Sequence, residues 1–182
     1  MPIVVLLAFA LTSGRKTPAS STSAGSKAAA TTPVTIAAAT PSPDVIEPCA
    51  QVVSKLPVQL EDQAPRIVHP TPNVAAQAAA WGDPPITFLC GVARPAQLVP
   101  GSTTEVSTVD GVNWLTVPQK NQTTYYLIDR PVYIQVVIPE SQHALLPPFS
   151  QAVLDAGLPQ VCQVPGSGGP QVANDQLCTH RP

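Results

Sequence analysis

Proline punctuates this chain from end to end, at 23 of 182 positions. Each proline fixes φ and removes a backbone donor, so a helix that reaches one in its interior tends to stop or kink. Short elements joined by loops are therefore expected, not long bundles. The 182 residues suit one domain plus a tail. Aromatic residues make up only 4% of the chain, so the core must be built mainly from Val, Ile, Leu and Ala. Such a core is modest, and covalent staples are useful to it.

Charge is sparse and uneven. Residues 1–43 carry Arg15, Lys16 and Lys27 and no acid; the remainder holds 9 − 3 = 6 basic against 11 acidic side chains, a balance of −5. An acidic body without a Lys/Arg cluster is a poor ligand for nucleic acid, which rewards concentrated positive charge.

The first 16 residues, MPIVVLLAFALTSGRK, hold an apolar run from Ile3 to Leu11. Its length is that of a signal-peptide core and too short to span about 30 Å of hydrocarbon. Ala19-Ser20-Ser21 supplies small residues for cleavage, but Arg15 and Lys16 follow the run where export signals usually carry their positive charge before it. One reconciliation places Met1 inside a longer signal or anchor that contacts the membrane. Residues 17–43 are Ala, Ser, Thr and Pro with no acid and no aromatic. A segment of that composition cannot bury enough surface to offset its ordering entropy and is expected to be a disordered linker reaching about 30 Å.

The body is expected over 44–160. DVIEPCAQVVSKLP predicts a short helix with Pro48 in its first turn and Pro57 ending it. QLEDQAPRIVHPTP predicts a loop or irregular edge. NVAAQAAAWG predicts a second short helix between Asn73 and Gly82. PITFLCGV predicts a strand. In TEVSTVDGVNWLTVP the dipeptide Asp110-Gly111 between β-branched runs predicts a two-residue type I′ hairpin. TTYYLIDRPVYIQVVIP predicts strands Thr123–Ile128 and Val132–Ile138, apolar enough for both faces to be covered, or one face and the linker side. Pro148–Ala156 predicts a helix closed by Gly157. Short connections pair neighbouring strands antiparallel, so the fold expected is α+β, with four or five antiparallel strands and short helices on one face.

Cys49, Cys90, Cys162 and Cys178 allow three disulfide pairings. The favoured one joins Cys49 to Cys90, pinning a helix to a strand, and Cys162 to Cys178, closing a 161–182 tail that little else would hold. Disulfides and an export-like front support each other. No CxxC pair is present, so zinc-ribbon or thioredoxin-type chemistry lacks its spacing. Cys162, Cys178 and His180 leave a metal or redox site as a weaker alternative.

There is no GxSxG elbow, no SxxK, and Gly166-Ser167-Gly168-Gly169 lacks the ending of a phosphate loop. Asp83, Asp110 and Asp129 stand by Gly or Pro at turns, where local backbone hydrogen bonds account for them. No catalytic, cofactor-binding or metal residue is assigned. Trp81, Trp114, Asp83 and Arg130 are the candidates for a ligand surface, although core packing is the commoner use of such tryptophans.

AWGDPPITFLCGVARPAQL, VDGVNWLTV and TYYLIDRPVYIQVVIP, in that order, resemble an actinobacterial family of exported or membrane-anchored proteins whose domain has no known function. The resemblance covers about Pro48 to Ser150. It implies a secreted or membrane-anchored protein of the cell envelope with a wall-related role, and it supplies no catalytic residue. Two functions are therefore expected in order: a non-catalytic domain binding an envelope protein or cell-wall component, and, as the alternative, a hydrolase or transferase using His69 or His143 with Glu61 or Asp62 on the proline-rich loops.

Overall fold

The computed structural model describes residues 32–69, 77–99, 102–142, 146–162 and 171–172. In chain order its elements are β1 (Val34–Thr35), α1 (Pro43–Val53), β2 (Val68–His69), β3 (Ala78–Trp81), β4 (Ile86–Cys90), β5 (Val106–Val109), β6 (Val112–Pro118), β7 (Gln122–Leu127), β8 (Ile134–Pro139), α2 (Leu146–Asp155), β9 (Val161–Cys162) and β10 (Gln171–Val172). The architecture is α+β. Its centre is a six-stranded antiparallel sheet of order β3-β4-β8-β7-β6-β5.

The hairpin at Asp110-Gly111 has both turn residues at positive φ, 52° and 77°, with Val109 opposite Val112. That is the geometry a type I′ turn requires, and Asp-Gly adopts it at little steric cost. From this hairpin β6, β7 and β8 continue as a meander, each strand paired with the next. The meander closes onto β4, so Phe88 lies opposite Val136 and Cys90 opposite Ile134. One seam, β4–β8, thus joins the N-terminal hairpin to the four later strands.

The sheet has six strands where four or five are expected, because Ala78–Trp81 is a strand and not the end of a helix. Helix propensity of alanine is a weak prior that tertiary packing overrides. Here alternation decides. Trp81 joins the main core with Ala79 packed against it, while Ala78 and Ala80 lie on the opposite face, where Val34 and Ile36 press directly on them. Small side chains permit that approach. Residues 70–76, the first part of the expected helix, lie outside the described residues.

α1 and α2 pack on one face of the sheet. Cys49 and Val52 of α1, and Leu146, Phe149, Ala152 and Val153 of α2, close over Ile86, Phe88, Val112, Trp114, Ile134 and Val136. Phe149 sits at the centre, 5.7 Å from the Trp81 ring edge-on and 6.0 Å from Phe88 stacked. α1 begins earlier than expected: Pro43 occupies the first turn and Pro48 lies inside the helix. Asp44 is held below the usual carboxylate range by the Ser42 hydroxyl first and by its own backbone N–H second. α2 ends as expected, with Gly157 at φ 67°.

Residues 32–43 correct the linker expectation. Val34 and Ile36, the two β-branched residues in PVTIAAATP, are buried against Ala78, Ala80 and Leu89. β1 also pairs in parallel with β2, and Arg66 donates to Thr32 O at 2.6 Å. This strap lies on the sheet face opposite the helices. Residues 1–31, which hold the apolar run and the rest of the linker, lie outside the described residues.

Gly82 ends β3 at φ 74°, and a Cβ there would run into the Gln63 carboxamide oxygen. Both the left-handed backbone and the contact oppose a side chain. Gly82→Ala is expected to cost about 1–2 kcal/mol, read as a lowered denaturation midpoint at unchanged m-value.

Candidate functional site

The four residues predicted for a ligand surface do not meet. Trp81 is 2% and Trp114 0% exposed, both in the core. Their indole N–H groups are satisfied inside, Trp114 on Ser150 Oγ at 2.9 Å and Trp81 on the carbonyls of Pro57 and Val58 at 3.2 Å. A buried indole needs such a partner, and both have one. Asp83 is on the exposed β3–β4 turn, 3.9 Å from Arg66. Arg130 is buried at the β7–β8 connection.

Arg130 pairs with its own neighbour: Nη1 lies 2.8 Å from Asp129 Oδ2 and donates to Asp129 O at 3.0 Å. Gln160 Nε2 donates to the same carboxylate oxygen, and Val161 N to Asp129 O, so the pair anchors the chain after α2. Asp129 Oδ1 and Arg130 Nε are buried with no hydrogen-bond partner among the described residues. Burial pushes the Asp129 carboxyl above its ordinary value, opposed by the Arg130 charge and by hydrogen bonds from Asn113 N–H, Arg130 and Gln160. The pair is closed to ligand and holds structure.

Of the residues named for hydrolase or transferase chemistry, Glu61, Asp62 and His69 are exposed and line neither cavity described below; His143 lies outside the described residues. Cys162 has only its backbone described, in β9, and Cys178 and His180 lie outside, as does the glycine run 166–169. Among the described residues no three His, Cys, Asp or Glu side chains are grouped to hold a metal ion.

Cys49 and Cys90 form a disulfide across 41 positions, with Cα atoms 5.6 Å apart. It ties α1 to the end of β4, where the chain leaves the sheet. Gly91 follows at φ 80°, with Val45 and Cys49 against the place a Cβ would take. Gly91 N and Val92 N both donate to Tyr133 O, which aims residues 92–99 across the sheet face opposite the helices.

That face carries the site. Between the 32–39 strap and β7 lie two cavities, of about 420 and 600 Å³. The first is lined by Ala37–Ala39, Leu89, Arg94, Tyr126 and Gln135, among others. The second lies between Val34, Thr87, Gln122, Val137, Pro139 and Glu140. Gln135 Nε2 donates to Tyr126 Oη at 3.0 Å. This leaves the Gln135 carbonyl oxygen as an acceptor and the Tyr126 hydroxyl proton as a donor. Arg94 donates to Leu98 O at 2.9 Å and to Tyr133 Oη at 3.3 Å, so its guanidinium is held in place. Glu140 lines the second cavity. An amide and a phenol on the sheet, with a cation beside them, can orient a polar ligand in the first cavity, and apolar walls with few polar groups are the usual make-up of a binding site.

Arg94, Tyr126 and Gln135 belong to no motif in the sequence. One signal was present: Gln135 interrupts VYIQVVIP at a position whose neighbours on the strand are core residues, so it must project from the other face.

A family model described as "Protein of unknown function (DUF3515)" matches residues 1–160. No curated protein and no solved structure matches the chain.

Proposed function

The chain belongs to this family of proteins of unknown function, and from that premise we propose that it is an extracytoplasmic binding domain of the cell envelope, secreted or membrane-tethered, that holds an envelope protein or cell-wall component in the groove along β8. The groove itself carries this reading: Tyr126, Gln135 and Arg94 converge there from a sheet stiffened by a disulfide. The disulfide supports the location, because an oxidising compartment preserves such bonds and the cytosol does not. Among the described residues no helix is long and apolar enough to cross a membrane. Tethering would therefore rest on the N-terminal segment.

Sedimentation of the whole chain with washed envelope material tests the binding. The expected result is retention that falls about tenfold in the Tyr126→Ala/Gln135→Ala variant, the loss of one or two hydrogen bonds to ligand, and is unchanged in Gln151→Ala on exposed α2. Equal retention of all three proteins would refute the groove. Turnover of a wall precursor or ester, abolished by His69→Ala, would establish the hydrolase or transferase alternative instead.

A further inference from the structure

Tyr126 of β7 and Gln135 of β8 stand opposite one another in register, and Gln135 Nε2 donates to Tyr126 Oη at 3.0 Å. That bond leaves one acceptor, the amide oxygen, and one donor, the phenol proton, side by side. Whichever way round the amide stands, one of each remains. Both residues line the cavity of about 420 Å³. Buried Gln77 and exposed Gln97 line it too, and neither carboxamide has a hydrogen-bond partner among the described residues. Arg94 is the one charged side chain among the described lining residues, and its guanidinium is already engaged on Leu98 O and Tyr133 Oη. Leu89, Val92 and the strap alanines make the apolar part of the wall.

We infer that this cavity takes one ring of an uncharged saccharide, with a ring hydroxyl seated between Tyr126 and Gln135. The inference rests on the binding reading above and names its ligand class. A hydroxyl both accepts and donates, so a single one accepts from the phenol and donates to the amide oxygen at the same time. The other carboxamides offer the same double character to neighbouring hydroxyls, while Leu89 and Val92 suit the C–H faces of the ring. Charge is disfavoured. The one cation among the described lining residues is occupied, none of them is an acid that would meet an amine, and an ion left unpaired there forfeits its hydration. An extended peptide fits less well, because its trans amides carry N–H and C=O on opposite sides. Such an amide does not bridge a donor and an acceptor that stand one hydrogen bond apart. β7 and β8 are also inner strands, paired on both sides, so they hold no free ladder for a peptide to join.

Glucose, galactose, mannose and N-acetylglucosamine are the probes, titrated into the whole isotope-labelled chain while NMR follows the Gln135 side-chain amide. At least one sugar is expected to move that signal saturably. The amine or carboxylate analogue of the same sugar should bind at least about tenfold more weakly, since its charge finds no partner. Tyr126→Phe keeps the ring and removes the donor; it is expected to weaken the sugar about tenfold and to melt with the parent. The charged analogues, tested on the unaltered chain, keep the proposal open to refutation if that variant loses stability. A charged analogue that binds as tightly as its sugar, or a Tyr126→Phe chain that binds as tightly as the parent, would overturn the assignment. A Gln135 signal that answers to N-acetylalanine methylamide and to none of the sugars overturns it in favour of a peptide. Failure of all four sugars, while envelope retention still depends on Tyr126 and Gln135, overturns the saccharide and spares the binding reading; loss of that dependence as well removes both.

Discussion

Removal of the disulfide by Cys49→Ala/Cys90→Ala is expected to lower stability by about 4 kcal/mol and the melting temperature by on the order of 10–15 °C. The loop it closes spans 41 positions, and closing a loop of that length removes much of the freedom of the unfolded chain. The bond also holds α1 against β4, at the point where residues 92–99 depart to form one wall of the groove. Both cysteines are buried, at 0% and 1% exposure. Reductant should therefore act on the folded protein only as fast as the structure opens, and thiols should appear at the rate of that opening. Thermal melts of the variant and the parent, with and without reductant, measure both effects. An unchanged melting temperature in the variant would show that the crosslink does not hold the fold.

Arg130→Ala is expected to cost about 3–5 kcal/mol, because it leaves the Asp129 carboxylate buried without its cation. The double replacement Asp129→Asn/Arg130→Met removes both charges and should cost much less, since apolar or neutral groups in place of a buried pair are often tolerated. The same residue gives a pH signature. Its folded-state carboxyl is raised above the ordinary value of 3.8, chiefly by burial, so between those two values the folded protein binds more protons than the unfolded chain. Stability from this group therefore grows as pH falls through the folded pKa toward 3.8 and declines as pH rises back through that window. Asp129→Asn should remove this slope, and Arg130→Ala should steepen it and shift it to higher pH. Denaturant titrations at a series of pH values would show it; an Asn variant with the parental slope would mean that Asp129 does not carry it.

Much of the meander was legible because its signals are local. Asp110-Gly111 fixes a turn, and the alternating β-branched runs on either side fix the strands that follow. Gly157 likewise ends α2 through its own backbone freedom. The misreadings arose where a distant partner decides. Ala78–Trp81 looks helical by composition, and becomes a strand because β4 pairs with it and the strap covers its alanines. The strap itself is too short and too poor in apolar residues to announce order; only the surface it lands on makes Val34 and Ile36 core residues. The groove was hidden for the same reason. Arg94 reaches it from a loop, Tyr126 and Gln135 from two paired strands, and no spacing in the sequence links the three.

The β4–β8 seam joins two pieces of chain that are distant in sequence. The crosslinked piece lies on one side of the seam and the meander on the other, and β4 meets the last strand along its edge. Pairings between such stretches are slow to form, because loop closure must be met before the contacts reward it. A guest lying in the hollow would rest on both sides of that joint, as a splint rests across a fracture. Occupancy and stability of the joint would then rise together.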